Sequence, residues 1–319
     1  MFEGFARVWS AVALAEELRP GAPLGLTLAG TRVVLFRDVA GAPRALVDRC
    51  PHRGVALSLG TVEGGCLACP FHGWRFDGSG QVSHVPWNPD AKLGALHAVA
   101  LPVRELGGQL WLYTAPVAAP PTEPAVHDDL LRPGVRISGL AVEWRTHWTR
   151  AMENMLDWPH LPFVHRRTIG KALAGRSDRR MDIAWEEQPW GAHSHITVEG
   201  RPEAGSLDLR WPNQMNLHIP IKGKLLMMLV TCVPIDATRT RMLLTMARGF
   251  LTSRLFDGLF HRSNLRIAAE DKAILESSDP PVVPRPGEEQ SVRTDGPTLL
   301  FRKRYFAELH GSSSGLDEG

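Results

Sequence analysis

Cys50-Pro51-His52 and Cys69-Pro70-Phe71-His72 decide how this chain is read. The first stretch has the form C-x-H, sixteen residues intervene, and the second has the form C-x-x-H, with Gly54 and Gly73 close behind. A zinc site is the plainer reading, because two cysteines and two histidines also satisfy tetrahedral zinc. Zinc ligands, however, usually arrive as C-x-x-C or H-x-x-x-H pairs, one ligand type to a hairpin. Here each loop brings one thiolate and one imidazole, so each loop must touch both metals of a dinuclear unit. The proline and glycine positions favour two tight loops folding over such a unit.

Two cysteines on one iron and two histidines on the other define the Rieske form of a 2Fe–2S cluster, in which the histidines raise the potential. Cys50, His52, Cys69 and His72 are therefore the candidate cluster ligands. Such a centre passes one electron at a time, at a value suited to feeding a second redox site.

The chain of 319 residues can hold two domains of ordinary size. Its formal charge is +2 with both signs interspersed, so no nucleic-acid or membrane footprint is expected. Four cysteines do not make a disulfide framework at this length, and Cys66 and Cys232 are expected as buried small apolar residues. Met1 to Pro20 mixes Glu3, Arg7, Glu16, Glu17 and Arg19 among its apolar residues, so no signal peptide is expected. The longest apolar run, Leu225 to Val233, is too short to span a bilayer. A soluble, cytoplasmic protein is expected.

Residues 8–19 leave helix and strand unresolved. From Leu26 onward, short apolar pieces separated by glycine and proline predict a small antiparallel β domain over residues 1–114, with the cluster loops inserted between its strands. Residues 115–124 are proline-rich and predict an extended, semi-rigid linker. Beyond it, residues 125–310 predict a mixed domain. Alternation over 142–149 suggests a strand with Val142, Trp144, Thr146 and Trp148 on one face. Leu207–Trp211, Met215–Ile219, Lys224–Val233 and Arg241–Arg248 read as further strands of a broad sheet. Residues 252–276 have near-helical apolar spacing, with Thr252 or Ser253 as cap and Pro280-Pro281 as terminator. The small, polar tail 311–319 is expected to be disordered.

A second chemical signal runs from Glu153 to His165 as E-N-x-x-D-x-x-H-x-x-x-x-H. Asn154, Asp157 and His160 are three apart and would share one face of a helix. Pro159 and Pro162 make a straight helix improbable, and a bend could swing His160 and His165 toward one point. Two imidazoles converging with a carboxylate form the facial triad of non-haem iron oxygenases. Alone, such a string is more often a surface turn; behind a cysteine–histidine cluster motif it gains weight. The carboxylate must come from elsewhere, and Glu270-Asp271 within the long helix offers two candidates that spacing does not separate.

Cys50-Pro-His-Arg-Gly, Cys69-Pro-Phe-His-Gly-Trp, the 153–165 string and Glu270-Asp-x-x-x-x-Glu276 together resemble the Rieske non-haem iron oxygenases, in particular the catalytic α subunits of the monooxygenase and demethylase branch. The resemblance covers the chain from about Trp9 to Arg302. It implies an α+β chain: an antiparallel β Rieske domain, then a helix-grip (START-like) catalytic domain on a curved antiparallel sheet. It also implies that Asp271, not Glu270, completes a mononuclear Fe(II) site with His160 and His165, so that each chain carries one 2Fe–2S cluster and one such iron, with O2 as cosubstrate. In that family a head-to-tail homotrimer sets the cluster of one subunit against the iron of its neighbour. Asp157 would then bridge His160 and a cluster histidine, His72, and Asn154 would lie beside the iron. A carboxylate between two metal-bound imidazoles fixes their tautomers and couples their charge states.

Gly78-Ser79-Gly80 is followed by no helix pattern, so it is a turn rather than a dinucleotide loop. Electrons must therefore come from NADH or NADPH through a separate ferredoxin or flavin reductase, and Arg49, Arg53 and Arg75 beside the cluster could dock an acidic donor. Strands rich in Leu, Met and Trp favour an apolar small-molecule substrate, aromatic or alicyclic; His218 and Asn216 could orient it, although core or surface roles are the commoner ones for such residues. Hydroxylation or oxidative demethylation is the leading reading. cis-Dihydroxylation, oxidative cyclisation and desaturation share the same iron chemistry. A Rieske electron carrier with an inert second domain, and a helix-grip ligand-binding module, are the non-enzymatic alternatives.

Overall fold

The computed structural model of the protein describes residues 1–173, 175–199, 201–285 and 287–310, and of residues 172 and 201–204 the backbone alone. The tail 311–319, expected to be disordered, lies outside the described residues. Two compact units divide at Pro124 and Ala125. Among the described residues no helix is long and apolar enough to cross a membrane.

The first unit is built of small antiparallel sheets. One pairs Trp9–Leu14 with Gln109–Tyr113, which in turn pairs with Val103–Leu106. The unresolved 8–19 piece is thus a strand, buried at every position from Trp9 to Leu14, followed by a 3-10 turn at Ala15–Glu17. A second sheet orders Leu24–Leu28, Thr31–Arg37, Pro43–Val47 and Ala100–Leu101. A third orders Thr61–Glu63, Cys66–Ala68, Arg75–Phe76 and Val82–His84. Val34, Phe36, Leu46, Leu57, Leu67 and Phe76 form the core between them, and Cys50 and Cys69 are buried against it. The 78–80 segment is a turn, with Asp77 Oδ1 accepting from the Ser79 N–H at 2.8 Å. Cys232 is fully buried as expected, whereas Cys66 is only half-buried, its sulfur beside the Ser83 hydroxyl at 3.7 Å. The proline-rich segment stays with the first unit, where Trp9 Nε1 donates to Thr122 O at 2.7 Å.

The second unit is organised on a seven-stranded antiparallel sheet. Across it run Arg136–Trp144, Thr240–Arg248, Leu226–Pro234, Gln214–His218, Arg201–Arg210, Gly191–Val198 and Met181–Gln188. The helices are α1 (Trp148–Leu156), α2 (Leu161–Val164), α3 (Asp257–Leu275) and α4 (Gly296–Glu308). The strand expected to continue to Trp148 stops at Trp144. His147 caps α1, its ring accepting from the Thr149 N–H, so Trp148 is the first helical residue instead of a sheet residue. The two strands at 181–198 and helix α4 are not legible in the sequence: buried Ser194 interrupts the apolar row of Ala192, Ile196 and Val198 that alternates with His193, His195 and Thr197. The long helix is shorter than expected. Ser253 caps a 3-10 turn at Arg254–Phe256, α3 begins at Asp257, and Leu255, Leu259 and Ile274 are exposed.

The buried stripe of α3 is Asn264, Ile267, Ala268 and Asp271, the i, i+3, i+4, i+7 pattern of a single face. Its start is tied to the sheet by charge. Arg136 and Arg248 lie opposite one another on adjacent strands, and Asp257 hydrogen-bonds both. Arg248 is completely buried and is compensated by this carboxylate, Ser138 Oγ, the Leu251 and Ser253 carbonyls and the face of the Phe260 ring, 4.5 Å away. The hydrogen bond from Arg136, resisted by partial burial and reinforced by Arg248, holds the Asp257 carboxyl far below the usual carboxylate range. Asp257→Asn leaves a buried guanidinium uncompensated, and urea unfolding is expected to report a loss of about 3 kcal/mol. Because the folded-state value is the lower one, the parent keeps this contribution above about pH 4 and loses it as pH falls, so acid should narrow the gap between parent and variant.

Candidate metal centres

The two cysteine–histidine loops share one backbone plan. In the first, the Gly54 N–H donates to Cys50 O at 2.8 Å and the Cys50 N–H to Val55 O at 2.8 Å. In the second, the Gly73 N–H donates to Cys69 O at 3.0 Å and the Cys69 N–H to Trp74 O at 2.8 Å. Each turn closes through a glycine with positive φ, 71° at Gly54 and 70° at Gly73, where a side chain would be strained. The plan sinks both thiols into the core and leaves both imidazoles exposed. The rings of His52 and His72 lie 4.7 Å apart between centroids, and His52 stacks on Trp74 at 4.6 Å. Burial, reinforced by the neighbouring Cys69 thiol, pushes the Cys50 thiol above its ordinary value. Two thiols confined together out of water lack a counter-charge of their own, and iron supplies one. The donor set therefore fits a cluster with its cysteine iron inside and its histidine iron at the surface. Of the basic residues flanking it, Arg49 and Arg53 are exposed, while Arg75 is paired with Glu63 at 2.7 Å.

In the second unit the bend between His160 and His165 has a clear local cause. Helix α1 ends at Leu156, and Asp157 leaves the helical region with ψ near 125°. The four-residue α2, with Pro162 in its first turn, is flanked by His160 on one side and His165 on the other. Asp157 and His160 are therefore not on a common helix face with Asn154. The bend sets the two rings 5.1 Å apart, edge to face.

Each ring has its Nδ1 engaged by a carboxylate. Asp157 Oδ2 accepts from the His160 backbone N–H at 3.0 Å and lies 3.1 Å from its Nδ1. Glu270 Oε2 lies 2.8 Å from His165 Nδ1 and also accepts from Thr168 Oγ1 at 2.7 Å. With protons held on both Nδ1 atoms, the Nε2 lone pairs are left to face Asp271. Asp271 Oδ1 is 3.0 Å from His165 Nε2 and 3.7 Å from His160 Nε2, yet accepts no well-formed hydrogen bond. Ligand atoms from all three residues fall within 4.8 Å of one another. A buried carboxylate oxygen without a donor, set between two imidazole lone pairs, fits a metal ion bound at about 2 Å from each. Burial lowers the proton affinity of His165, but Asp271 and Glu270 outweigh it and raise the net value.

Glu270 and Asp271, which spacing did not separate, thus face different atoms of the same ring. Glu270 is a ring-orienting partner rather than the solvated edge its sequence context resembles. Glu153 belongs to another network: it accepts from Arg302 and Arg150, and burial nonetheless raises its carboxyl above the ordinary range.

The three residues stand at one side of a mainly apolar, partly open cavity. Asn154, Asp157 and Trp158 from the α1 end line it, as do Asn264, Ile267 and Ala268 from α3. The sheet supplies two adjacent rows: Leu207, Leu217 and Met228 are cross-strand neighbours, as are Met215, Val230 and Leu244. Side chains of alternate residues point to opposite faces. Asn216 and His218 therefore lie on the far face, with Asp208, and do not line the cavity; they are not substrate-orienting candidates. The expected aromatic lining comes from Trp144 and Trp158 instead of Trp211. Trp158 fits because Gly205 has no Cβ, which would stand 2.8 Å from the indole.

Comparison with known proteins finds relatives for both units. A Rieske [2Fe-2S] domain matches residues 8–100, and the vanillate O-demethylase oxygenase C-terminal domain matches residues 212–309. The chain is 35% identical over 176 residues to the dicamba O-demethylase oxygenase component of Stenotrophomonas maltophilia, covering 55% of this chain and 52% of that one. It is 28% identical over 260 residues to the 5,5'-dehydrodivanillate O-demethylase oxygenase subunit of Sphingobium sp., covering 74% and 61%. The solved structure of Pseudomonas putida CBB5 NdmA superposes with a TM-score of 0.79 at 25% identity, over 97% of this chain and 92% of that one. The chain spans about half or less of the first curated relatives it matches. An iron–sulfur domain followed by an oxygenase-type C-terminal domain defines the class. The chain carries the paired domains of the Rieske oxygenases and is similar to their oxygenase subunits.

Removing the Glu270 carboxylate frees His165 Nδ1 without touching a facing ligand atom. Glu270→Ala is expected to weaken Fe(II) binding in the second unit about 10- to 100-fold, measured by iron retention against a chelator, with the visible absorption of the cluster unchanged.

Proposed function

We propose that the protein is an oxygenase that takes electrons from NAD(P)H through a separate ferredoxin or flavin reductase and hydroxylates or oxidatively demethylates an apolar, aromatic or alicyclic small molecule. The observation that carries this reading is the convergence of His160 Nε2, His165 Nε2 and Asp271 Oδ1 on one point at the wall of an apolar cavity. Three protein ligands on one side leave positions open, as the two-histidine, one-carboxylate arrangement requires. Bound there, ferrous iron supplies the dioxygen chemistry, for which the 2Fe–2S cluster held by Cys50, His52, Cys69 and His72 provides a further electron.

This chain's own residues orient and shield. Asp157 and Glu270 keep protons on Nδ1 of the two histidines, which fixes the ring orientations. The Leu, Met and Val rows of the sheet exclude water and hold apolar substrate against Asn154 and the ligand set. The demethylase reading is supported by the two relatives named as O-demethylases. We further propose a cytoplasmic homotrimer in which Asp157 connects His160 to His72 of a neighbouring subunit, with exposed Arg49 and Arg53 receiving an acidic electron donor.

Matured protein is expected to contain about three irons per chain and a Rieske-type visible spectrum. His160→Ala should retain the cluster and lose the remaining iron. A result of two irons in the parent, with a normal cluster spectrum and undiminished substrate turnover, would defeat the proposal. Asp157→Asn should keep both metals, yet lose nearly all oxygen consumption coupled to product formation with a surrogate reductase. Full activity in a metal-replete Asp157→Asn variant rules out the bridging role.

A further inference from the structure

The buried stripe of α3 carries one residue that packing does not explain. Asn264 is 2% exposed, lines the cavity, and has no hydrogen-bond partner at either Oδ1 or Nδ2. Its companions on that stripe, Ile267 and Ala268, are apolar. A leucine at 264 would complete the pattern without leaving an amide unsatisfied, so the asparagine is retained against the interest of the fold. Unsatisfied buried groups of this kind mark places where a ligand completes the hydrogen bonding.

Two further observations define that ligand. Trp144 and Trp158 line the same cavity, and each has an Nε1 without a partner, as does Asn154 at Nδ2. Apart from the metal ligands and Asp157, the side-chain oxygens among the described lining residues belong to Asn154 and Asn264, and of these two only Asn264 Oδ1 is buried without a donor, against four buried side-chain N–H groups without acceptors. The lining also contains no Lys or Arg among the described residues, so a substrate carboxylate would meet no counter-charge beyond the metal site itself. Position matters too. Asn264 precedes Asp271 by seven residues on one helix face, about 10 Å of helix rise. The amide and the metal site thus address opposite ends of a bound molecule.

We propose that Asn264 orients the substrate, and that the substrate is a neutral ring compound whose far edge carries a carbonyl beside an N–H or O–H, as in a lactam. This proposal rests on the cavity being the substrate pocket of the oxygenase. The amide donates from Nδ2 to the carbonyl and accepts at Oδ1 from the adjacent N–H or O–H, while the reacting carbon is presented two helical turns away. A site built around a hydrogen-bonded pair rejects analogues that lack it far more strongly than an apolar wall rejects a misfit.

Binding to iron-loaded protein under anaerobic conditions tests this by calorimetry with three probes of similar size: 2-quinolinone, naphthalene and 2-naphthoate. The parent is expected to bind 2-quinolinone at least tenfold more tightly than either of the others. Asn264→Leu should abolish that preference, hold naphthalene as well as the parent does, and melt no lower. A merely structural asparagine predicts instead that all probes weaken together. Asn264→Asp keeps the volume and exchanges the donor for an acceptor, so preference should pass to 2-aminoquinoline; it serves if the leucine variant does not fold. Retained lactam preference in the variants, a parent preference for 2-naphthoate, or no binding of any probe overturns the proposal. Iron content and oxygen uptake report separately: their loss with the lactam preference intact defeats the oxygenase reading, whereas their presence without that preference defeats only the role of Asn264.

Discussion

The second unit depends on a proton being kept in its place. An imidazole offers a lone pair toward a metal only if its other nitrogen is protonated and that proton is held. Asp157 does this for His160 and Glu270 does it for His165, from opposite directions in the chain. Asp271 then meets two lone pairs, not two N–H groups, which accounts for a deeply buried carboxylate oxygen with no hydrogen-bond donor. Much of the surrounding structure holds these carboxylates at the right distance.

Helix α3 carries most of that burden. It supplies Glu270 to one side of His165 and Asp271 to the other, and its position along the sheet is set by the Asp257 clamp on Arg136 and Arg248. A shift of one turn would move Asp271 by about 5.4 Å and dissolve the ligand set. The clamp is costly in isolation, since it buries a guanidinium completely; it is tolerated because the carboxylate, a hydroxyl and two carbonyls satisfy it. The same helix face that presents Asp271 presents Asn264, so one rigid element fixes both ends of the cavity.

In the first unit the constraint is the backbone. Two loops with the same pair of hydrogen bonds and the same positive-φ glycine turn their cysteines inward and their histidines outward. The C-x-H and C-x-x-H spacings look unequal, yet cysteine and glycine are four apart in both. The shared turn, not the histidine spacing, is the structural unit. An inner pair of thiols and an outer pair of imidazoles follows directly from it.

The sequence by itself determined the ligand types and much of the chain's plan. Cysteine–histidine pairing within each loop argued against an ordinary zinc hairpin, the proline positions implied the bend at 159–162, and apolar runs placed five adjacent strands of the broad sheet but not the two at its far edge. These are local matters, decided by side-chain chemistry and by backbone conformations accessible within a few residues. Only the tertiary structure decided what depends on contacts between distant segments. It separated Glu270 from Asp271, which differ by one residue and by about 100° around the helix. It put Asn216 and His218 on the wrong face of the sheet for substrate, since register, not composition, assigns a strand residue to its side. It ended the first strand at Trp144 because His147 offers a helix cap there, and a cap outweighs an alternating pattern that has no partner strand to pair with. It also showed Asn264 alone among apolar neighbours, a fact invisible until the helix face and the sheet rows enclose the same space.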